Sequence, residues 1–208
     1  MEDNSAINKI QDERYYSVGA FVLEIIKIVI LAFVIIVPIR AFLFQPFFVQ
    51  GASMEPNFEN SEYLIVNEFG YKKTDVEFAG EKFFTVEPFK ELKRQEVVVF
   101  RYPKNPTQFF IKRVIGLPGE KVEIKDNKVI VHNFENQDGF VVDESAYLAS
   151  SVKTDGEMMV TLKDNEYFVM GDNRQFSSDS RAWGPVPVEE IVGVALLRAW
   201  PLDKITVF

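Results

Sequence analysis

The chain has 208 residues, 47% of them hydrophobic, 14% aromatic and 26% charged, with a net charge of −8; that length admits one substantial domain with a real core and an appendage. A single histidine and no cysteine exclude disulfides, zinc fingers, iron–sulfur clusters, thiol catalysis and two-histidine metal sites. The acidity argues against nucleic acid as a partner, no cofactor is implied, and chemistry must run on Ser, Lys, Asp, Glu, Tyr or Arg, a Ser-His-Asp triad being buildable only on His132.

Residues 1–17 are polar and read as a short cytoplasmic tail. From Val18 to Ile39 the chain offers 22 residues, near the roughly 20 that a helix needs to cross a bilayer. Glu24 and Lys27 interrupt this run at i and i+3, where they can pair, and Lys27 can snorkel to the interface. Ile28 to Ile39 alone is too short, so the anchor is expected over 18–40, with the paired charges inside it. Arg40 marks an interface, with Phe42, Phe44, Phe47 and Phe48 just beyond at headgroup level. Pro38 and Pro46 suit a helix end. A buried core helix or a cleavable signal peptide are the alternatives, but Arg40-Ala41-Phe42 offers no A-x-A-like cleavage site. Lys9 and Arg14 before the run, against Arg40 after it, place the N-terminus inside and the rest outside the cytoplasm. Residues 1–40 carry four basic and five acidic side chains, which leaves −7 on residues 41–208.

The remainder, 41–208, reads as short strands rich in β-branched and aromatic residues: Glu62 to Asn67, Val97 to Tyr102, Thr107 to Ile115, Glu166 to Met170, Ile191 to Arg198 and Ile205 to Phe208. Val122 to Ile124 and Val129 to His132 flank Asp126-Asn127 as a hairpin. Without a long 3.6-residue period after residue 50, the class is mainly β, a folded antiparallel sheet or partly closed β-barrel. Insertions are expected near 71–89 and 134–157. Phe78, Phe83, Phe84 and Phe89 in the first are assigned to the core, with a groove rim or lipid contact as alternatives.

Three patterns could carry chemistry. Gly51 and Pro56 constrain a turn around Ser53 in GASMEP, a turn residue or a nucleophile. In FIKRVIG, alternation puts Lys112 on an apolar face with Phe110 and Val114, where desolvation lowers its pKa; the other reading is a strand-edge lysine whose head reaches water. Arg113 points the other way, toward solvent or a carboxylate. Gly171 to Arg181 packs three serines, two carboxylates and two arginines into 11 residues, either a plain loop or one that Asp179 and Arg181 rigidify by pairing. Together the three fit a serine activated by a neutral lysine.

With its anchor, GASMEP, RQEVVVF, FIKRVIGLPGE and VMGDNRQFSSDSRAWGPVP in this order, the chain resembles a bacterial type I signal peptidase of the Ser-Lys kind, its single anchor being similar to that of the Gram-positive members. The resemblance implies a membrane-bound endopeptidase with a mainly β catalytic domain. Such an enzyme acts in contact with lipid on preproteins emerging from the secretion machinery, and cleaves after small residues in an A-x-A pattern. It assigns Ser53 as nucleophile, Lys112 as general base, Ser177 as the serine that hydrogen-bonds and orients the lysine, and Asp179 and Arg181 as supporting charges. Gly51 stands where some Gram-negative relatives carry an oxyanion-hole serine, so that hole would rest on backbone N–H groups, notably that of Ser53. Gln95-Glu96 replaces a frequent Gly-Asp, and His132, outside the motifs, is expected on a hairpin surface. The competing readings are a non-catalytic membrane-tethered relative that binds exported chains, a self-cleaving repressor-type protease, and a tethered β-domain with a structural or ligand-binding role.

Overall fold

A computed structural model describes residues 18–78 and 80–208; the expected tail, with Lys9 and Arg14, lies outside the described residues. The apolar run folds as helix α1, Val18–Phe42. Within it, Gly19–Val37 has a mean hydropathy of 3.0 and none of it is buried inside the protein. Nineteen residues at 1.5 Å each reach about 28 Å, close to the ~30 Å hydrocarbon core of a bilayer. Pro38 lies inside this helix rather than at its end. Glu24 and Lys27 are exposed and form no ion pair among the described residues; an i,i+3 pair contributes only about 0.2–0.5 kcal/mol, too little to fix two long side chains.

The chain divides into two compact units after Ala41. The second unit begins at once as a strand. Phe44–Phe48, expected as a flanking aromatic stretch, is β1, antiparallel to β2 (Tyr63–Asn67) with Phe44 opposite Asn67 and Phe48 opposite Tyr63. The edge position accommodates Pro46, which has no N–H to give to a ladder. The strands that follow are β3 (Thr74–Phe78), β4 (Glu81–Val86), β5 (Val97–Tyr102), β6 (Asn105–Gly116), β7 (Lys121–Lys125), β8 (Lys128–His132), β9 (Phe140–Val141), β10 (Met158–Thr161) and β11 (Glu166–Met170). A short helix α2 (Ser180–Trp183) precedes β12 (Val186–Pro187), β13 (Ile191–Trp200) and β14 (Thr206–Val207).

The main sheet has eight strands in the order β1-β2-β13-β5-β6-β11-β12, with β14 added on β13. A second sheet runs β10-β7-β8-β9, and β3 pairs β4 separately. All of these pairings are antiparallel. The fold is thus mainly β, behind one apolar N-terminal helix.

Strand β11 shows how the core is divided. Phe168 and Met170 pack with Ile115, Val122, Ile124 and Val131 beneath the four-stranded sheet. Tyr167 and Val169, on the alternate face, pack with Val98, Phe100, Val114 and Ile191. A strand buried on both faces must be apolar at every position, and each such side chain contributes about 1.5–3 kcal/mol by leaving water. A third cluster joins Val49, Met54 and Phe58 to Leu64, Val97 and Ala195.

The first insertion contains the β3–β4 hairpin, and three of its phenylalanines are not core: Phe83, Phe84 and Phe89 are 72%, 55% and 62% exposed, while the side chain of Phe78 lies outside the described residues. A two-stranded ribbon has no second layer against which to bury Phe83 and Phe84, and Phe89, beyond the ribbon, rests edge-on against Phe69. His132 also departs from the surface reading. It is half-buried in β8, with Nε2 3.0 Å from Glu123 Oε2 and Nδ1 3.0 Å from Gln137 O.

Candidate active site

Strand alternation places Lys112 between Phe110 and Val114 on β6, and both neighbours belong to the second core cluster. The lysine is 3% exposed. Burial lowers its pKa to about 8, against the opposing pull of the Asp179 and Asp172 carboxylates. Its Nζ lies 2.6 Å from Ser53 Oγ and donates to Ile111 O at 2.8 Å.

Ser53 is carried by the turn that leaves β1. Gly51 enters it at φ +90°, the left-handed region that favours glycine over a side-chain-bearing residue. Its N–H donates to Asn60 Oδ1 at 2.9 Å. The turn is anchored by Met54 and Phe58, 1% and 2% exposed, and closed by Phe58 N donating to Met54 O.

The loop after β11 grips this turn from the other side. Asn173 donates through its backbone N–H to Ser53 O at 3.1 Å and through Nδ2 to Ala52 O at 3.0 Å. Gly171 packs so closely that a Cβ there would lie 2.2 Å from Ser177 Oγ and 2.3 Å from Ser53 O.

Asp179 caps the N-terminus of α2 and is fully buried. Its Oδ1 accepts from Arg181 Nε at 2.8 Å, and its Oδ2 from Arg181 Nη2 at 2.9 Å and from Gly171 N at 3.0 Å. Burial alone would raise its pKa, but Arg181, the Gly171 N–H and the Ser177 hydroxyl together hold it below the ordinary carboxylate value. The sequence-predicted residues therefore converge, with one difference at Ser177. Its buried Oγ makes no hydrogen bond of full geometry; its polar influence falls on Asp179, and the contacts of Lys112 Nζ are Ser53 and Ile111.

Of the two expected surroundings of Arg113, solvent or a carboxylate, it takes the carboxylate, and further residues support it. Arg113 turns into the protein, its Nε and Nη2 donating to Asp172 Oδ1 and Oδ2 at 2.8 and 2.5 Å and its Nη1 to Gln95 O at 2.8 Å. Gln95 takes φ +73°, a conformation open to glycine without strain and less favourable for a residue with a side chain. Asp172 also accepts from Asn57 Nδ2 at 2.8 Å. Arg174 is held by Glu144 and Thr154 of the second insertion. A buried arginine requires a carboxylate, so an inward Arg113 implied a partner; no local pattern marked Glu144 or Thr154.

Ser53 and Lys112 open onto a groove of about 670 Å³ whose walls include Phe47, Ala52, Leu64, Val99, Phe109, Ile111 and Phe176. Among the described residues no cluster of three or more His, Asp or Glu side chains could hold a metal.

The profile of the family "Signal peptidase, peptidase S26" matches residues 22–200. "Signal peptidase I P" of Bacillus subtilis subsp. natto is 34% identical over 187 residues, covering 88% of this chain and 92% of its own. "Signal peptidase IB" of Staphylococcus aureus (strain COL) is 31% identical over 193 residues, covering 88% and 92%. A crystal structure of a signal peptidase I from Enterococcus faecalis V583 is 29% identical and overlays on 50% of this chain and 97% of its own, with a TM-score of 0.41. By the extent of these matches, the chain belongs to the peptidase S26 family and is a bacterial type I signal peptidase homologue.

Proposed function

We propose that this chain is a membrane-bound serine endopeptidase that removes signal peptides from exported preproteins, with Ser53 as nucleophile and Lys112 as general base. The observation that carries the reading is the 2.6 Å separation of Lys112 Nζ and Ser53 Oγ at a lysine whose burial favours the neutral amine. Lys112 takes the Ser53 proton as Oγ attacks the carbonyl that follows the signal sequence. The Ser53 N–H, which makes no hydrogen bond among the described residues, donates to the resulting oxyanion; such a donor contributes about 3–4 kcal/mol. Lys112 then protonates the leaving amine, and water hydrolyses the acyl-enzyme. Asp179 and Arg181 fix the loop that sets Ser177 and Gly171 against the Ser53 peptide.

Cleavage after small residues in the A-x-A pattern belongs to the same reading, and the apolar side chains of Leu64, Val99 and Ile111 in the wall of the Ser53 groove suit small apolar substrate side chains. β1 ends the main sheet, so an extended substrate gains main-chain hydrogen bonds by lying along it. α1 serves as the anchor, with residues 1–17 cytoplasmic and 41–208 outside, where preproteins emerge from the secretion machinery.

The test is cleavage of a preprotein by the full chain in detergent. Ser53→Ala and Lys112→Ala should each abolish it, and substantial residual activity in either would sink the Ser-Lys assignment. Labelling of Ser53 by a β-lactam-like acylating inhibitor separates this reading from a non-catalytic relative that only binds exported chains.

A further inference from the structure

The stretch from Asp143 to Thr154, within the second insertion, touches all three pieces of the site. Tyr147 O accepts from Asn57 Nδ2 at 2.7 Å, in the Ser53 turn. The Tyr147 ring lies against the Arg113 guanidinium, with Cζ 4.1 Å from the ring centroid, on the strand of Lys112. Its hydroxyl donates to Glu144 Oε1 at 2.8 Å, and Glu144 holds Arg174 beside Asp172 and Asn173. Burial, with the Glu144 carboxylate adding to it, pushes the phenol far above its ordinary range, so the hydroxyl stays a neutral donor.

We infer that Tyr147 is a positioning residue for the catalytic pair: its ring holds Arg113 flat against Asp172, so that this carboxylate stays neutralised beside Lys112. Two carboxylates, Asp179 and Asp172, favour the protonated form of Lys112. Each is matched by an arginine, Asp179 by Arg181 and Asp172 by Arg113. Arg181 is also tied back to Arg174 O at 2.7 Å. Arg113 has its edge on Asp172 and Gln95 O, and the Tyr147 face excludes water from its plane. The charged groups around the ring are Arg113, Arg174 and Glu144. Without the ring the guanidinium can tilt toward water, and Asp172 then acts on Lys112 with its charge less compensated.

This inference rests on the Ser53–Lys112 reading, and the test separates the two. The pH dependence of kcat and of kcat/KM is measured with the full chain in detergent for wild type, Tyr147→Leu and Tyr147→Phe, each corrected for its folded fraction, and the rising limb is read from kcat/KM. Leu keeps the bulk without the aromatic face; Phe keeps the face without the hydroxyl. Tyr147→Leu should lose about tenfold or more in kcat, with the rising limb displaced upward by about half a pH unit or more; Tyr147→Phe should keep the wild-type limb. An unmoved limb in Tyr147→Leu, or a displaced one in Tyr147→Phe, overturns the inference. Should Tyr147→Leu fail to fold, Tyr147→Met, which also removes the aromatic face, takes its place with the same expected displacement and the same overturning result. A wild type that does not cleave at all removes the Ser53–Lys112 reading itself.

Discussion

Lys112 Nζ lies 2.6 Å from Ser53 Oγ across 59 residues of sequence, and the two are brought together from opposite kinds of backbone. Lys112 sits in the longest strand of the sheet; Ser53 sits in a turn closed by Phe58 N and Met54 O. Between them they join an ammonium that burial pushes toward neutrality to a hydroxyl that needs a base.

The first consequence is a pH profile. Burial holds Lys112 at about 8, so about a tenth of the enzyme carries the neutral amine at pH 7, and kcat/KM should rise with pH through a limb centred near that value. The measurement is preprotein cleavage from pH 6 to 10. A limb centred near the ordinary lysine value of about 10.4 would contradict a desolvated base.

The same burial should make the lysine a stability liability. Its folded pKa of about 8 lies below the unfolded value of 10.5. The folded protein therefore binds fewer protons between those values, and stability should rise with pH across that window. Lys112→Met, similar in volume and without charge, should stabilise the protein at pH 7 by up to about 3 kcal/mol while abolishing cleavage. Urea unfolding at pH 7 and pH 10 checks both parts: the gain should shrink at the higher pH. A destabilised Met variant would mean that the amine's contacts with Ser53 and Ile111 outweigh its desolvation.

The Asp126-Asn127 turn offers a check of the fold apart from the chemistry. Both residues have positive φ, 51° and 61°, the backbone of a two-residue type I′ hairpin between β7 and β8. Asn127→Val should cost about 1–2 kcal/mol, because a β-branched residue cannot adopt this conformation without strain. Asn127→Gly should be neutral or slightly stabilising, and thermal unfolding distinguishes the two. Preprotein cleavage should remain near the wild-type level in both, since neither turn residue lines the Ser53 groove.

Periodicity made much of this legible. Val97 to Tyr102 and Glu166 to Met170 occupy the expected residues, because a strand buried on both faces leaves an uninterrupted apolar run. β1 was hidden by its continuity with the apolar helix: Phe44 to Phe48 extends the same hydrophobic composition, and the change from helix to strand is carried by backbone pairing with β2. In the site, the residues within short motifs could be named, since each motif is one turn or one strand. Glu144, Tyr147 and Thr154 could not. They reach Arg174 and Arg113 through tertiary packing of an irregular segment, and nothing at fixed spacing records such contacts.

Gly171 gives the last test, and the most local one. Its backbone is ordinary, so what the site requires is space rather than conformational freedom: an added Cβ would lie 2.2 Å from Ser177 Oγ and 2.3 Å from Ser53 O. The Ser177 hydroxyl can rotate away, but Ser177 Cβ, 2.5 Å from the added carbon, moves only with its own loop. The Ser53 carbonyl cannot rotate away, because it is backbone and accepts from Asn173 N at 3.1 Å. Relief must come from moving the Ser53 turn off the loop, which displaces Oγ from Lys112 Nζ. A displacement of about 1 Å suffices for a loss on the order of a hundredfold, whereas overpacking costs about 1–3 kcal/mol of stability. Gly171→Ala should therefore fold, unfold at a somewhat lower temperature, and cleave on the order of a hundredfold more slowly. The KM for a preprotein should change less than kcat, since the walls supplied by Phe47, Leu64, Val99 and Ile111 stay in place. A kcat within twofold of wild type would show that the Ser53 carbonyl is free to yield, and would remove the loop from the positioning of the nucleophile.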